Sequence, residues 1–312
     1  MLDALPGSPA TASIYHPRPT GTMMVPMVVS RPTAPSGQSA APPGQHDSRS
    51  QGGPMLVAVD IGNTNIVLGF LDGPAIIATH RISTGLPRTA DEYGLLLTEL
   101  LARHDLSASD VDDVIISSVV PKVMHSFRGA IVTYFDIEPM IVGPGVKSGI
   151  RITIDDPKTL GADCLADCAG AYYLYGGPVL VADFGTATTF NYVDASGTIL
   201  SGLITTGIRT GANALWSSTA QLPEVEITRP RSILARSTKD AMQAGLYYGF
   251  LGGVERTIHQ FHEEISDDFQ VVATGGLGRI FADDTDLIDV YDPDLIFKGM
   301  AVIHAKTSRQ RP

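Results

Sequence analysis

Two short stretches of the chain carry groups suited to holding phosphates and cations. The first runs Asp60, Ile61, Gly62, Asn63, Thr64, Asn65, then Ile66 and Val67. A carboxylate at the carboxyl end of a strand can hold a divalent cation through its water shell. Gly62 permits close backbone approach, and Asn63, Thr64 and Asn65 offer donors to phosphate oxygens. The same residue types also populate an ordinary polar hairpin turn. The second stretch is Asp183, Phe184, Gly185, Thr186, Ala187, Thr188 and Thr189, with hydroxyls in place of amides. Two such loops at equivalent points of a repeated unit, facing each other across a cleft, suit a polyphosphate.

Two further stretches join them. Thr274, Gly275, Gly276, Leu277 and Gly278 link a strand to a helix, where glycines let a flat or bulky ligand lie against the backbone. Gly161, Ala162, Asp163 and Cys164 open a helix, and Asp163 there reads either as a first-turn acid or as a base for a substrate hydroxyl. The remaining candidates are background. The eight His residues form no metal spacing, and Asp283, Asp284 and Asp286 read as a solvated loop. Cys164 and Cys168, the only cysteines, sit one helical turn apart as half a metal site without a second half, which favours two reduced cytoplasmic thiols. There is no lysine-bearing phosphate loop and no nucleophile elbow.

The elements that must position these loops follow from hydrophobic patterning. Strands are predicted over 55–59, 66–71 and 75–83, a helix after Thr89, then strand 114–119, helix 123–135 and strand 139–142, followed by a sharp turn at 143–145. The order recurs with strands over 179–183, 190–193 and 198–204, helices over 212–220 and 239–264, strand 270–273, a helix after Leu277, strand 289–292 and helix 295–305. Two halves with one element order, each opened by strand, Asp, any residue and Gly, predict a duplicated α/β unit.

Composition divides the chain differently. Ten of the 21 prolines lie in residues 1–54, a segment with two acids, three arginines and no lysine. It reads as a disordered Pro/Ser/Gly-rich leader, or as a translation start placed upstream of Met55. The other 258 residues carry 31 acids against 19 bases, enough chain for two domains, here 55–175 and 176–312. Their acidity argues against a nucleic-acid partner, and no apolar run is long enough for a membrane span.

Taken in order, DIGNTN, GAD, DFGTATT and TGGL make the chain similar to type III pantothenate kinases, within the acetate-kinase, sugar-kinase, Hsp70 and actin superfamily. The similarity runs over 55–300 and includes DEYGLLL, ISSVVP, VGPGVKSGI, LPEVEITRP and AMQAGLYYGF. Met55 falls where family members begin. The resemblance implies two ribonuclease-H-like domains flanking a nucleotide cleft, in a cytoplasmic homodimer. It implies ATP-dependent phosphorylation of pantothenate toward coenzyme A, with Mg²⁺ or another divalent cation and a monovalent cation, K⁺ or NH4⁺. By position, Asp60 through Val67 would form the first phosphate loop, with Thr186, Gly275 and Gly276 also on the nucleotide. Asp163 would be the catalytic base and Asp183 the monovalent-cation ligand. Gly161, Ala162, Asp163, Cys164 and Thr238 would contact the acceptor.

The chain departs from the family pattern at four places, all on the acceptor side. Cys164 stands in place of an arginine and Ile154 in place of a tyrosine. Residues 201–207 lack the usual first glycine and the proline, and Ala235, Arg236 and Ser237 precede Thr238 where Gly-Lys-Asn is usual. A nucleotide-binding paralogue without kinase activity, or a kinase for another small hydroxyl compound, is the alternative that these changes leave open.

Overall fold

A computed structural model describes residues 53–143 and 146–309. All of the proline-rich leader except Gly53 and Pro54 lies outside the described residues, as do two residues of the turn expected at 143–145. The first half opens with β1 (Met55–Ile61), β2 (Asn65–Asp72) and β3 (Ala75–Ser83), an antiparallel meander. Then come α1 (Ala90–Ala102), β4 (Asp113–Ser118), α2 (Pro121–Phe135) and β5 (Met140–Ile141). Thr89 and Glu92 start α1 with reciprocal side-chain to backbone bonds, which satisfy two otherwise orphaned N–H groups. The sheet order is β3-β2-β1-β4-β5, with β4 parallel to β1 and β5 parallel to β4.

The second half repeats it. After β6 (Arg151–Ile152) and α3 (Ala162–Tyr175) come β7 (Val179–Phe184), β8 (Ala187–Val193) and β9 (Thr198–Thr206) as a second meander. Helices α4 (Ile208–Ser217) and α5 (Thr238–Glu264) follow, then β10 (Gln270–Thr274), α6 (Gly278–Ala282), β11 (Val290–Tyr291) and α7 (Leu295–Ser308). The order is β11-β10-β7-β8-β9-β6, with β10 and β11 parallel to β7. Apart from β6, the two sheets share one order and one sense, the duplicated ribonuclease-H-like unit expected from the sequence.

Three details differ from the sequence expectation. The two-residue β6, too short for any periodicity to reveal, pairs with the start of β9. Helix α4 begins at Ile208 instead of residue 212, because Gly207 packs its backbone against the carbonyls of Gly185 and Thr186, where no side chain fits. Asp284 is not solvated: its buried carboxylate pairs with Arg229 at 2.8 Å and accepts from the Tyr247 hydroxyl.

Helices α3 and α7 form a layer whose core includes one face of each sheet: Leu56, Ala58 and Ile115 from the first, Val179, Val181 and Val272 from the second. Gly170 and Gly299 let these helices touch, since a Cβ at Gly299 would fall on the Ala166 carbonyl. The opposite face of the first sheet packs on α1 and α2, and that of the second on α5.

Candidate active site

Strand alternation decides where the two loop carboxylates point. In β1, Met55, Val57, Val59 and Ile61 join the outer core, while Leu56 and Ala58 face the α3–α7 layer, and Asp60 follows on that inner face. In β7, Leu180, Ala182 and Phe184 face outward and Val179 and Val181 inward, so Asp183 also points inward. Helix α3 starts in the same layer with Asp163 in its first turn and Asp167 one turn on. Both loops therefore deliver a carboxylate toward the start of one helix.

The electrostatics bear this out. Burial, and after it the Asp163 charge, push Asp60 up to about 7, partly offset by the Ser117 hydroxyl beside it. Burial and then Asp163 likewise push Asp183 up to about 7. Asp163 is thus the carboxylate felt by both. Its Oδ1 accepts the Cys164 N–H at 2.8 Å, so it also satisfies a first-turn donor while Gly161 is the N-cap. Burial, then Asp163, hold the Cys164 thiol up at about 12, and its Sγ lies 3.9 Å from Thr189 Oγ1.

The loops meet directly: the hydroxyls of Thr64 and Thr186 are 3.0 Å apart. The first loop closes through Gly62 N–H to the Asn65 carbonyl at 3.0 Å, and Thr84 Oγ1 donates to the Gly62 carbonyl at 2.8 Å. Asn63 and Thr64 are exposed and Asn65 half-buried. Ile61 and Ile66 are core residues, Val67 packs on the inner core, and the backbones of all three are paired on both sides within the sheet. On the second loop, the Thr186 carbonyl accepts from Thr210 Oγ1 at 2.6 Å.

Gly275 closes the third loop onto Asp183. Its φ is +92°, and a Cβ there would lie 2.7 Å from the Phe184 backbone. The helix after this loop, α6, has only five residues, so the loop offers glycine conformations more than a helix dipole. The Gly276 Cβ position faces the Arg81 guanidinium 3.5 Å away. Arg81, on β3, and Asp167, on α3, were not singled out from the sequence. The signal available for Asp167 was its four-residue spacing from Asp163 on an otherwise small and apolar helix face.

The acceptor-side residues are not all gathered together. Gly161, Ala162, Asp163 and Cys164 start α3, and Ile154 packs on the same inner core. Thr238 stands exposed at the start of α5, where it lines a groove of about 420 Å³ with Leu215, Leu222, Met242 and Leu246. Among the described residues no three His, Cys, Asp or Glu side chains close into a metal cluster. The inward carboxylates fit a cation held partly through water and neutral oxygens, since buried like charges are what a bound cation relieves.

Two matching sheets, a shared helical layer and an Asp loop from each half define a protein of the sugar-kinase and actin fold class. A Campylobacter jejuni protein described as a Baf family transcriptional activator superposes with TM-score 0.51 at 20% identity, over 81% of this chain and 99% of its own. A Sinorhizobium meliloti protein described as a 2-dehydro-3-deoxygalactonokinase gives 0.50 at 17% identity, over 82% and 97%. The type III pantothenate kinase family model matches residues 56–260. Type III pantothenate kinase of Bifidobacterium longum subsp. infantis is 70% identical over 81% of this chain and 99% of that relative. That of Agathobacter rectalis is 50% identical over 82% and 99%. The chain belongs to the type III pantothenate kinase family.

Proposed function

We propose that this chain transfers the terminal phosphoryl group of ATP to the 4′-hydroxyl of pantothenate, the first step toward coenzyme A. The observation that carries this reading is Asp163, a carboxylate that acts on both loop aspartates at the point where the two loops converge. Asn63, Thr64 and the loop that Asp60 through Val67 form orient the phosphates from one side, and Thr186 does so from the other. Gly275 and Gly276 let the rest of the nucleotide lie against the third loop. Asp163 takes the hydroxyl proton as the substrate oxygen bonds to the γ-phosphorus and ADP leaves. Asp60 would hold a divalent cation, which would supply neutralisation of phosphate charge, and Asp183 would hold a monovalent cation.

The same reading includes a homodimer acting in the cytoplasm. Gly245, Gly249, Gly252 and Gly253 form an exposed stripe on α5 with open space beside each, next to the apolar groove at Thr238. A second copy seated there would bring its own α5 against this stripe.

The test is ATP-dependent formation of 4′-phosphopantothenate, with and without K⁺. Asp163→Asn should lower turnover by roughly 10²–10⁴-fold while nucleotide still binds. Turnover of that variant near the wild-type rate would overturn the assignment. One observation favours a second reading, a nucleotide-binding member without this activity: the neutral Cys164 thiol in place of an arginine. ATP binding without turnover, with turnover appearing in Cys164→Arg, would support it.

A further inference from the structure

Below the cleft floor lies a carboxylate that the proposed chemistry does not use. Asp167 is 4% exposed, and its Oδ1 has no hydrogen-bond partner. It sits one turn past Asp163, flanked on α3 by the core residues Ala166 and Cys168. The charges that act on it most strongly are all carboxylates: Asp183 first, then Asp163, Asp60 and Asp292. The nearby cation is already committed, since Lys298 Nζ holds both oxygens of Asp292 at 2.7 and 2.8 Å while Tyr175 donates to the same carboxylate.

An unpaired buried carboxylate facing a second one is costly unless it is protonated or shares a cation. The surroundings favour the cation. Val193 faces the α3–α7 layer, so alternation along β8 turns Thr189 and Asn191 to the same side; Thr189 stands opposite Asp183 across the β7–β8 pair, while Asn191 Oδ1 lies over Gly202 of β9. Thr189 Oγ1 is 3.9 Å from Cys164 Sγ and accepts from Asn191 Nδ2 at 3.4 Å. Two carboxylates with a neutral hydroxyl suit a weakly hydrated monovalent ion better than a divalent ion, which would need more anionic ligands or its own water.

We propose that Asp167 is a cation-holding residue, the deep carboxylate partner of Asp183 in a monovalent-cation site between α3 and β7. Through that ion it positions Asp183 and the second loop, without touching substrate. This rests on the phosphotransferase reading, in which Asp183 holds the ion.

The first test is thermal unfolding of the full chain without nucleotide or acceptor, titrated with KCl and with choline chloride as the ionic-strength control. MgCl2 forms a third arm. Wild type should gain stability with K⁺ beyond the choline control. Asp167→Asn, which keeps the shape and removes the charge, should need about tenfold more K⁺ for half the effect, the loss expected for one charge-assisted partner. A variant that responds to K⁺ as wild type does, merely with a higher Tm, marks Asp167 as a buried protonated acid and overturns the inference. A response to Mg²⁺ that equals or exceeds the response to K⁺ overturns the monovalent assignment.

Anomalous diffraction from Rb⁺-soaked wild-type crystals needs no variant to fold. A peak against the Asp167 carboxylate supports the site, and a peak elsewhere or none overturns it. K⁺ stabilisation in a protein that forms no 4′-phosphopantothenate would overturn the proposed reaction and leave this site standing.

Discussion

Asp60 and Asp183 lose their protons near pH 7 in the folded protein, against about 4 in an unfolded chain. Between those values the folded protein keeps protons that the unfolded chain has released. The stability these groups contribute is therefore full below about pH 4 and is lost as pH rises through about 7. In cation-depleted buffer the Tm should fall by on the order of 10 °C between pH 5 and pH 8 through these groups. Saturating Mg²⁺, K⁺ and ATP should flatten the slope, because bound cations favour the charged forms. A scanning-calorimetry series over pH, with and without these ligands, measures both slopes. At this scale the loops were legible, because Asp followed two residues later by Gly at a strand end is a local signal. Asp167 was less so, because its four-residue spacing from Asp163 is a weak cue and its significance comes from which sheets cover α3.

Among the elements, the crossing of α3 and α7 depends on Gly170 and Gly299. A Cβ at Gly170 would lie 3.0 Å from the Leu295 carbonyl oxygen, and one at Gly299 would fall on the Ala166 carbonyl. Gly299→Ala must push the helices apart, which should cost about 1–3 kcal/mol and lower the Tm by several degrees. Intrinsic helix propensity alone would give the opposite sign, since Ala is favoured over Gly in a helix interior by roughly 1 kcal/mol. Thermal unfolding of this single variant separates the two. Most elements were readable from period-2 and helical spacing, including both meanders. The start of α4 was not, because it is fixed by Gly207 packing on a loop more than twenty residues away.

For the whole molecule, the field of an 11-fold negative chain opposes ATP and pantothenate alike. In the proposed reaction the loop amides, Arg81 and the cations assigned to Asp60 and Asp183 would have to overcome it locally. Assembly is the other property at this scale. Gly249→Glu places a charge in open space on α5, so a monomer should tolerate it with little change in stability. If α5 is the dimer face, light scattering should show the mass halving. An unchanged dimer would move the interface elsewhere.

Helix α7 is the last described element, yet it packs against β1 and β4 as well as α3. The first sheet is thus closed over by this last described helix. A fragment ending before Leu295 would leave Ala58, Ile115 and the groove vacated by Phe297 without cover, and would be recovered as insoluble material. Mixed during refolding with a separately made piece that carries α7, it would return to solution. That outcome would make the two halves of this duplicated protein obligate partners, neither able to be lifted out alone.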